Sequence, residues 1–118
     1  MRRSDIDLPE DRFVFGFSFD YASVCRRKNP IGVIDAYRRA FGPNDGAGLA
    51  LKTINSSQFP AEAAMARAAA DERDDIMFID RFFDPLVMRA FFQLLDCYVS
   101  LHRAEGLGLA VASRMAGP

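Results

Sequence analysis

At 118 residues, 50% of them hydrophobic and 26% charged, the chain is sized for one soluble domain with a buried core. Fifteen Lys and Arg against sixteen Asp and Glu leave a net charge of −1, and the one basic run, Arg26-Arg27-Lys28, is too short to follow a polyanion; this argues against a nucleic-acid binder. Two cysteines (Cys25 and Cys97) and one histidine are too few for a disulfide framework or a zinc site, so a reducing cytoplasm is the expected compartment.

Residues 1–11 are polar and contain Pro9; they read as a lead-in, without the apolar core of a signal peptide. No apolar run in the chain reaches the roughly 18 residues that span a bilayer. From Arg12 to Phe19, alternation puts Phe13, Phe15, Phe17 and Phe19 on one face and Val14, Gly16 and Ser18 on the other. Bulky groups on one side and small or apolar ones on the other predict a strand covered on both faces, as in a parallel sheet. After a loop, Asn29-Pro30 supplies an N-cap and a first helical residue. Val33, Ile34, Tyr37, Ala40 and Phe41 then recur at helical spacing until Gly42-Pro43 stops the helix.

The same unit returns. Leu49–Ile54 reads as a second strand and Pro60 to about Asp71 as an Ala-rich helix; Ile76–Ile79 reads as a third strand, and Asp84-Pro85 caps a helix to about Leu95. Cys97–Leu101 is the fourth strand, with Cys97 a small buried hydrophobe, and a helix follows from Leu107 to Ala116. This alternation predicts βαβ units: an α/β, Rossmann-like open parallel sheet with helices on both faces, about four units long and incomplete at its C-terminus. The helix 85–95 is apolar nearly all round, which suits a larger body, and ending at four strands leaves strand 97–101 near an open edge where association is favoured. The chain is therefore expected to be a fragment of a longer protein or a unit that needs a partner.

In such a sheet, ligands bind beyond the carboxyl ends of the strands where strand order reverses. With the order 3-2-1-4, the loops after strands one and four meet there. The first carries Arg26, Arg27 and Lys28; the second carries His102, Arg103, Glu105, Gly106, Leu107 and Gly108, leading into a helix. Helix N-termini present unpartnered N–H groups and partial positive charge, and Gly allows an anion close to the backbone. Lys28 and those amides suit a diphosphate, and Glu105 suits the hydroxyls of an attached sugar.

Ser100-Leu-His-Arg-Ala-Glu-Gly-Leu-Gly-Leu109 resembles the donor-site motif of retaining glycosyltransferases with two Rossmann-like domains (the GT-B type). Leu8–Phe15 resembles the linker into their C-terminal, nucleotide-binding domain, Arg27–Tyr37 resembles their K-N-x-x-G segment, and Asp80-Arg-Phe-Phe-Asp84 resembles the turn that receives the nucleotide base. The resemblance implies that Lys28, Gly106, Leu107, Gly108 and Leu109 bind the donor diphosphate, that Glu105 holds the donor sugar, and that Phe82 and Phe83 lie near the base. Arg27, His102 and Arg103 are further candidates. It also implies no metal and no cofactor beyond the nucleotide-sugar substrate, an acceptor glycan or lipid, and a parent enzyme that is cytoplasmic or peripheral at the inner face of a membrane.

Three departures accompany the resemblance. Eight positions after Glu105, where these enzymes carry a second Glu for the ribose, this chain has Ser113. Many members carry an Arg at the end of the first strand, where this chain has Phe19-Asp20 and only Arg26 or Arg27 nearby. The acceptor-binding domain and the last strands lie outside the sequence, so the chain alone is expected to be inactive. The alternative is a non-catalytic Rossmann-like module that binds nucleotide weakly or serves association. A dinucleotide binder is disfavoured, because the turn after the first strand lacks Gly-x-Gly-x-x-Gly.

Overall fold

The phenylalanine alternation at the start of the chain builds the centre of the sheet. In the structure, a computed structural model that describes residues 1–21 and 30–99, Phe13–Asp20 form strand β1. Phe15, Phe17 and Phe19 turn to one side and join Val33, Ile34 and Tyr37 of helix α1 (Pro30–Ala40). Val14 turns to the other, where it meets Ile79, Phe83 and Phe91. Both faces of β1 are thus covered, as its composition predicts.

Strand β2 (Ala47–Ile54) runs parallel to β1 over its full length, pairing Phe13 with Ala47 and Asp20 with Ile54. It starts two residues before the sequence reading places it, because the Phe13 N–H donates to the Gly46 carbonyl and opens the ladder early. Gly46 has φ 80°, a left-handed turn geometry for which glycine lacks the usual steric cost. Strand β3 (Ile76–Asp80) pairs with β2 on its far side, and β4 (Cys97–Tyr98) pairs with the other side of β1. All pairs are parallel and the order is β3-β2-β1-β4, that of an open Rossmann-like α/β sheet. The Val99 amide, bonded to the Gly16 carbonyl at 2.8 Å, continues β4; the rest of the predicted strand and the helix after it lie outside the described residues.

Helices α1 and α2 (Pro60–Ala70) cover one face. Pro60 starts α2 at the position where its missing N–H costs nothing, and Asp71 ends it in a left-handed cap whose N–H reaches the Ala68 and Arg67 carbonyls. Helix α3 (Pro85–Leu94) covers the other face, started by the Asp84 carboxylate, which accepts from the Val87 amide at 2.9 Å. Only Phe91 of α3 is fully buried; Leu86 and Phe92 lie on its exposed side, and the Phe92 ring meets Tyr98 edge-on at 5.1 Å. At Gly16 a Cβ would overlap the Leu95 side chain, so the glycine lets the end of α3 lie close to β1.

Residues 3–6 form a short 3₁₀ turn, more structure than a plain lead-in. Ile6 and Leu8 bury themselves beside Val14 and Phe91 and complete the α3 face. Arg3 fixes this segment: its guanidinium donates to the carbonyls of Leu94, Pro9 and Arg12 and to the Asp96 carboxylate at 2.7 Å. The same Asp96 oxygen accepts from the Val14 amide at 2.7 Å, tying the starts of β1 and β4 together.

A second clamp holds the amino end of β3. Asp75 is fully buried; it accepts from the Tyr37 hydroxyl at 2.6 Å and from Arg73 Nε and Nη2 at 2.9 and 2.6 Å. Arg73 also reaches the Phe41 carbonyl, so α1 and β3 are joined through one charge. No helix among the described residues is long and apolar enough to cross a membrane.

Candidate functional site at the carboxyl edge of the sheet

Polar side chains gather where β1, β2 and β3 end. Asn55, in a left-handed conformation just after β2 (φ 68°), donates from Nδ2 to Asp20 Oδ1 of β1 at 2.7 Å. Thr53 donates to Asp80 Oδ1 of β3 at 3.0 Å, and Ser56 donates to the other Asp80 oxygen. Three adjacent strands are therefore cross-linked by side chains at their carboxyl ends, the position where ligands bind in open parallel sheets. The residues after the second strand read from sequence as a turn; they make one, and that turn also orders Asp20 and Asp80.

Parallel alternation along β2 sends Leu49, Leu51 and Thr53 toward α1 and α2, and Ala50, Lys52 and Ile54 toward α3. Lys52 is 3% exposed. Its Nζ donates to the Thr53 carbonyl at 3.0 Å and lies 4.8 Å from the centre of the Phe83 ring. Burial pushes the Lys52 ammonium below its usual pKa; Asp80 opposes that effect and Arg81 adds to it. Burial likewise raises the Tyr21 hydroxyl, with Arg67 lowering and Asp80 raising it.

Lys52, Ser18, Asp20, Ile54, Phe82 and Phe83 line a recess of about 240 Å³ beside Met88 of α3. The two phenylalanines proposed for the base part company here. Phe83 is core, packed against Phe91 with ring centroids 6.1 Å apart, while Phe82 is 77% exposed. Arg81 lies over the Phe83 ring at 5.1 Å and forms an exposed ion pair with Asp7 at 3.5 Å. A larger groove, about 700 Å³, lies toward the amino end of β3 between Arg67, Asp71, Arg73, Ile76 and Phe78. It mixes charges already engaged: Arg67 covers the Phe78 ring at 4.7 Å and Arg73 holds Asp75.

Of the residues singled out from sequence, Phe82 and Phe83 stand at the carboxyl edge. Lys28 and Arg27 lie outside the described residues, as do His102, Arg103, Glu105, Gly106, Leu107, Gly108, Leu109 and Ser113. Asp96, where the resembling stretch begins, serves the Arg3 clamp. Lys52 was missed, although a lysine inside the run Leu49-Ala-Leu-Lys-Thr-Ile54 is a visible anomaly: a charge in a strand otherwise composed for burial. Among the described residues, no group of three or more His, Cys, Asp or Glu is placed to hold a metal ion. No protein-family model matches the chain, and no curated protein matches it.

Proposed function

We propose that this chain is the donor-binding domain of a glycosyltransferase of the two-domain type. It holds a nucleoside-diphosphate sugar, and another domain or chain brings the acceptor. The observation that carries this reading is the strand order. β4 lies directly beside β1, so the ends of these two strands are neighbours at the carboxyl edge; in the sequence Lys28 follows the first and Glu105 the second. An exposed aromatic on the turn after β3, Phe82, suits a nucleotide base on that edge.

In this reading Lys28 and the amides from Gly106 to Leu109 hold the diphosphate. They stabilise the charge that grows on it as the sugar departs. Glu105 accepts hydrogen bonds from sugar hydroxyls, and charge makes those bonds about twice as strong as neutral ones. Calorimetric titration with UDP, GDP and their sugars tests it. Saturable binding that Lys28→Ala and Glu105→Ala each weaken at least tenfold supports the donor domain. Binding that neither variant changes counts against it.

The second reading, a non-catalytic module of the same fold, is favoured by Ser113, which stands where the resembling enzymes carry a charged ribose ligand. It predicts weak nucleotide binding or none.

A further inference from the structure

Lys52 is the one lysine among the described residues, and lysine is rarely so buried unless paired. Among the described residues no carboxylate comes within ion-pair distance of it. An ammonium has three donors, and the Thr53 carbonyl engages one of them. The recess beside it, about 240 Å³, falls below the roughly 300–1,000 Å³ of pockets that take a whole small molecule, so it admits one group of a ligand. Phe83, Ile54 and Met88 give it apolar walls, and the exposed Phe82 ring belongs to the same lining.

Charge narrows the choice of group. Among the described residues that line the recess, Lys52 and Asp20 are the charged ones, one of each sign, so this lining does not call for a dianion such as phosphate. It calls for a flat, neutral group that carries a carbonyl. We propose, on the nucleotide reading above, that the recess receives the edge of the donor's base, with Lys52 Nζ donating to a ring carbonyl and Phe82 covering the ring face. Uracil and guanine present such a carbonyl, with a ring N–H beside it that matches Asp20 as an acceptor. Adenine has no ring carbonyl, and the carbonyl of cytosine has no ring N–H beside it, so neither base matches both partners. The site therefore selects UDP or GDP sugars over ADP or CDP sugars.

The test titrates the full chain, wild type and Lys52→Met, with UDP, GDP, ADP and CDP. Met keeps the length of the stem and removes the charge, and urea melts check that the variant folds. The expected result is that UDP or GDP binds at least about tenfold more tightly than ADP and CDP, and that Lys52→Met brings the ratio close to one. A measurement on the wild type needs no variant: the Lys52 ammonium resonance, followed by NMR, shifts on saturation with the preferred nucleotide and stays in place with inorganic pyrophosphate. If pyrophosphate moves it equally, Lys52 is a phosphate ligand and the proposal is overturned. Equal binding of all four nucleotides, unchanged in Lys52→Met, overturns the role of Lys52 and leaves the donor-domain reading standing. Binding of none overturns both.

Discussion

Asp75→Asn removes the charge from a carboxylate with no exposed surface that holds Tyr37 and Arg73 at 2.6 Å. Neutralising one member of a buried ion pair costs about 3–5 kcal/mol, because the partner keeps its desolvation penalty. The Arg73 side chain is 14% exposed and so partly solvated, which favours the lower end, about 3 kcal/mol. With a urea dependence of about 1–3 kcal/mol/M, the unfolding midpoint should fall by at least about 1 M. The pH dependence has a definite sign. Burial raises the Asp75 pKa, but the hydrogen bonds from Arg73 and Tyr37 outweigh it and hold the carboxyl below its usual range. A depressed folded value means the contribution is complete above about pH 4 and is lost as pH falls through the folded value. The Tyr37 hydroxyl is raised by burial and by its bond to Asp75, so its contribution is present below about pH 10 and is lost at higher pH. Urea melts of wild type and Asp75→Asn across pH should show a shallower acid slope in the variant. A midpoint shift below about 0.3 M, or an acid slope that does not change, refutes the clamp.

At Gly16, Gly16→Ala should cost about 1–3 kcal/mol by crowding Leu95, and a double-mutant cycle with Leu95→Ala should be non-additive. Arg3→Met should cost about 1.5–3 kcal/mol in a urea melt and speed exchange of the Val14 amide, since Asp96 loses the partner that orients it. The two phenylalanines after β3 should separate cleanly. Phe82→Ala should leave stability within about 0.5 kcal/mol yet weaken nucleotide binding by about 1–3 kcal/mol, as read by calorimetry. Phe83→Ala, with its ring 8% exposed, should cost about 3–5 kcal/mol of stability.

Most of the sheet was legible because its signals are strong and local. The phenylalanine period of β1 gave its two covered faces, and Pro30, Pro60 and Asp84-Pro85 marked three helix starts. The sequence reading also gave helix 85–95 too many apolar positions for one buried face, and Leu86 and Phe92 are indeed on its outside. The packing of the N-terminal segment was not legible. Ile6 and Leu8 are two apolar residues in a polar stretch with no period, and their burial depends on Arg3 reaching partners more than ninety positions away. Asp75 ends a charged run, Asp71-Glu-Arg-Asp-Asp75, in which nothing along the chain sets it apart; only the approach of Tyr37 from α1 makes it a clamp. At the carboxyl edge, the turn 80–84 was recognisable from its own residues. So was the turn at Asn55, on the site side of the sheet; Lys52 and the Asn55–Asp20 bond were not, because they depend on sheet register and not on spacing along the chain.

Amide chemical-shift mapping with a nucleoside diphosphate asks most directly whether the carboxyl edge is the ligand site. The account predicts that saturation shifts Ser18, Asp20, Lys52–Asn55 and Asp80–Phe83 together, while Arg67–Asp74 and the Arg3–Asp96 clamp stay in place. Shifts centred on the groove at the amino end of β3, or none at saturating nucleotide, would contradict it.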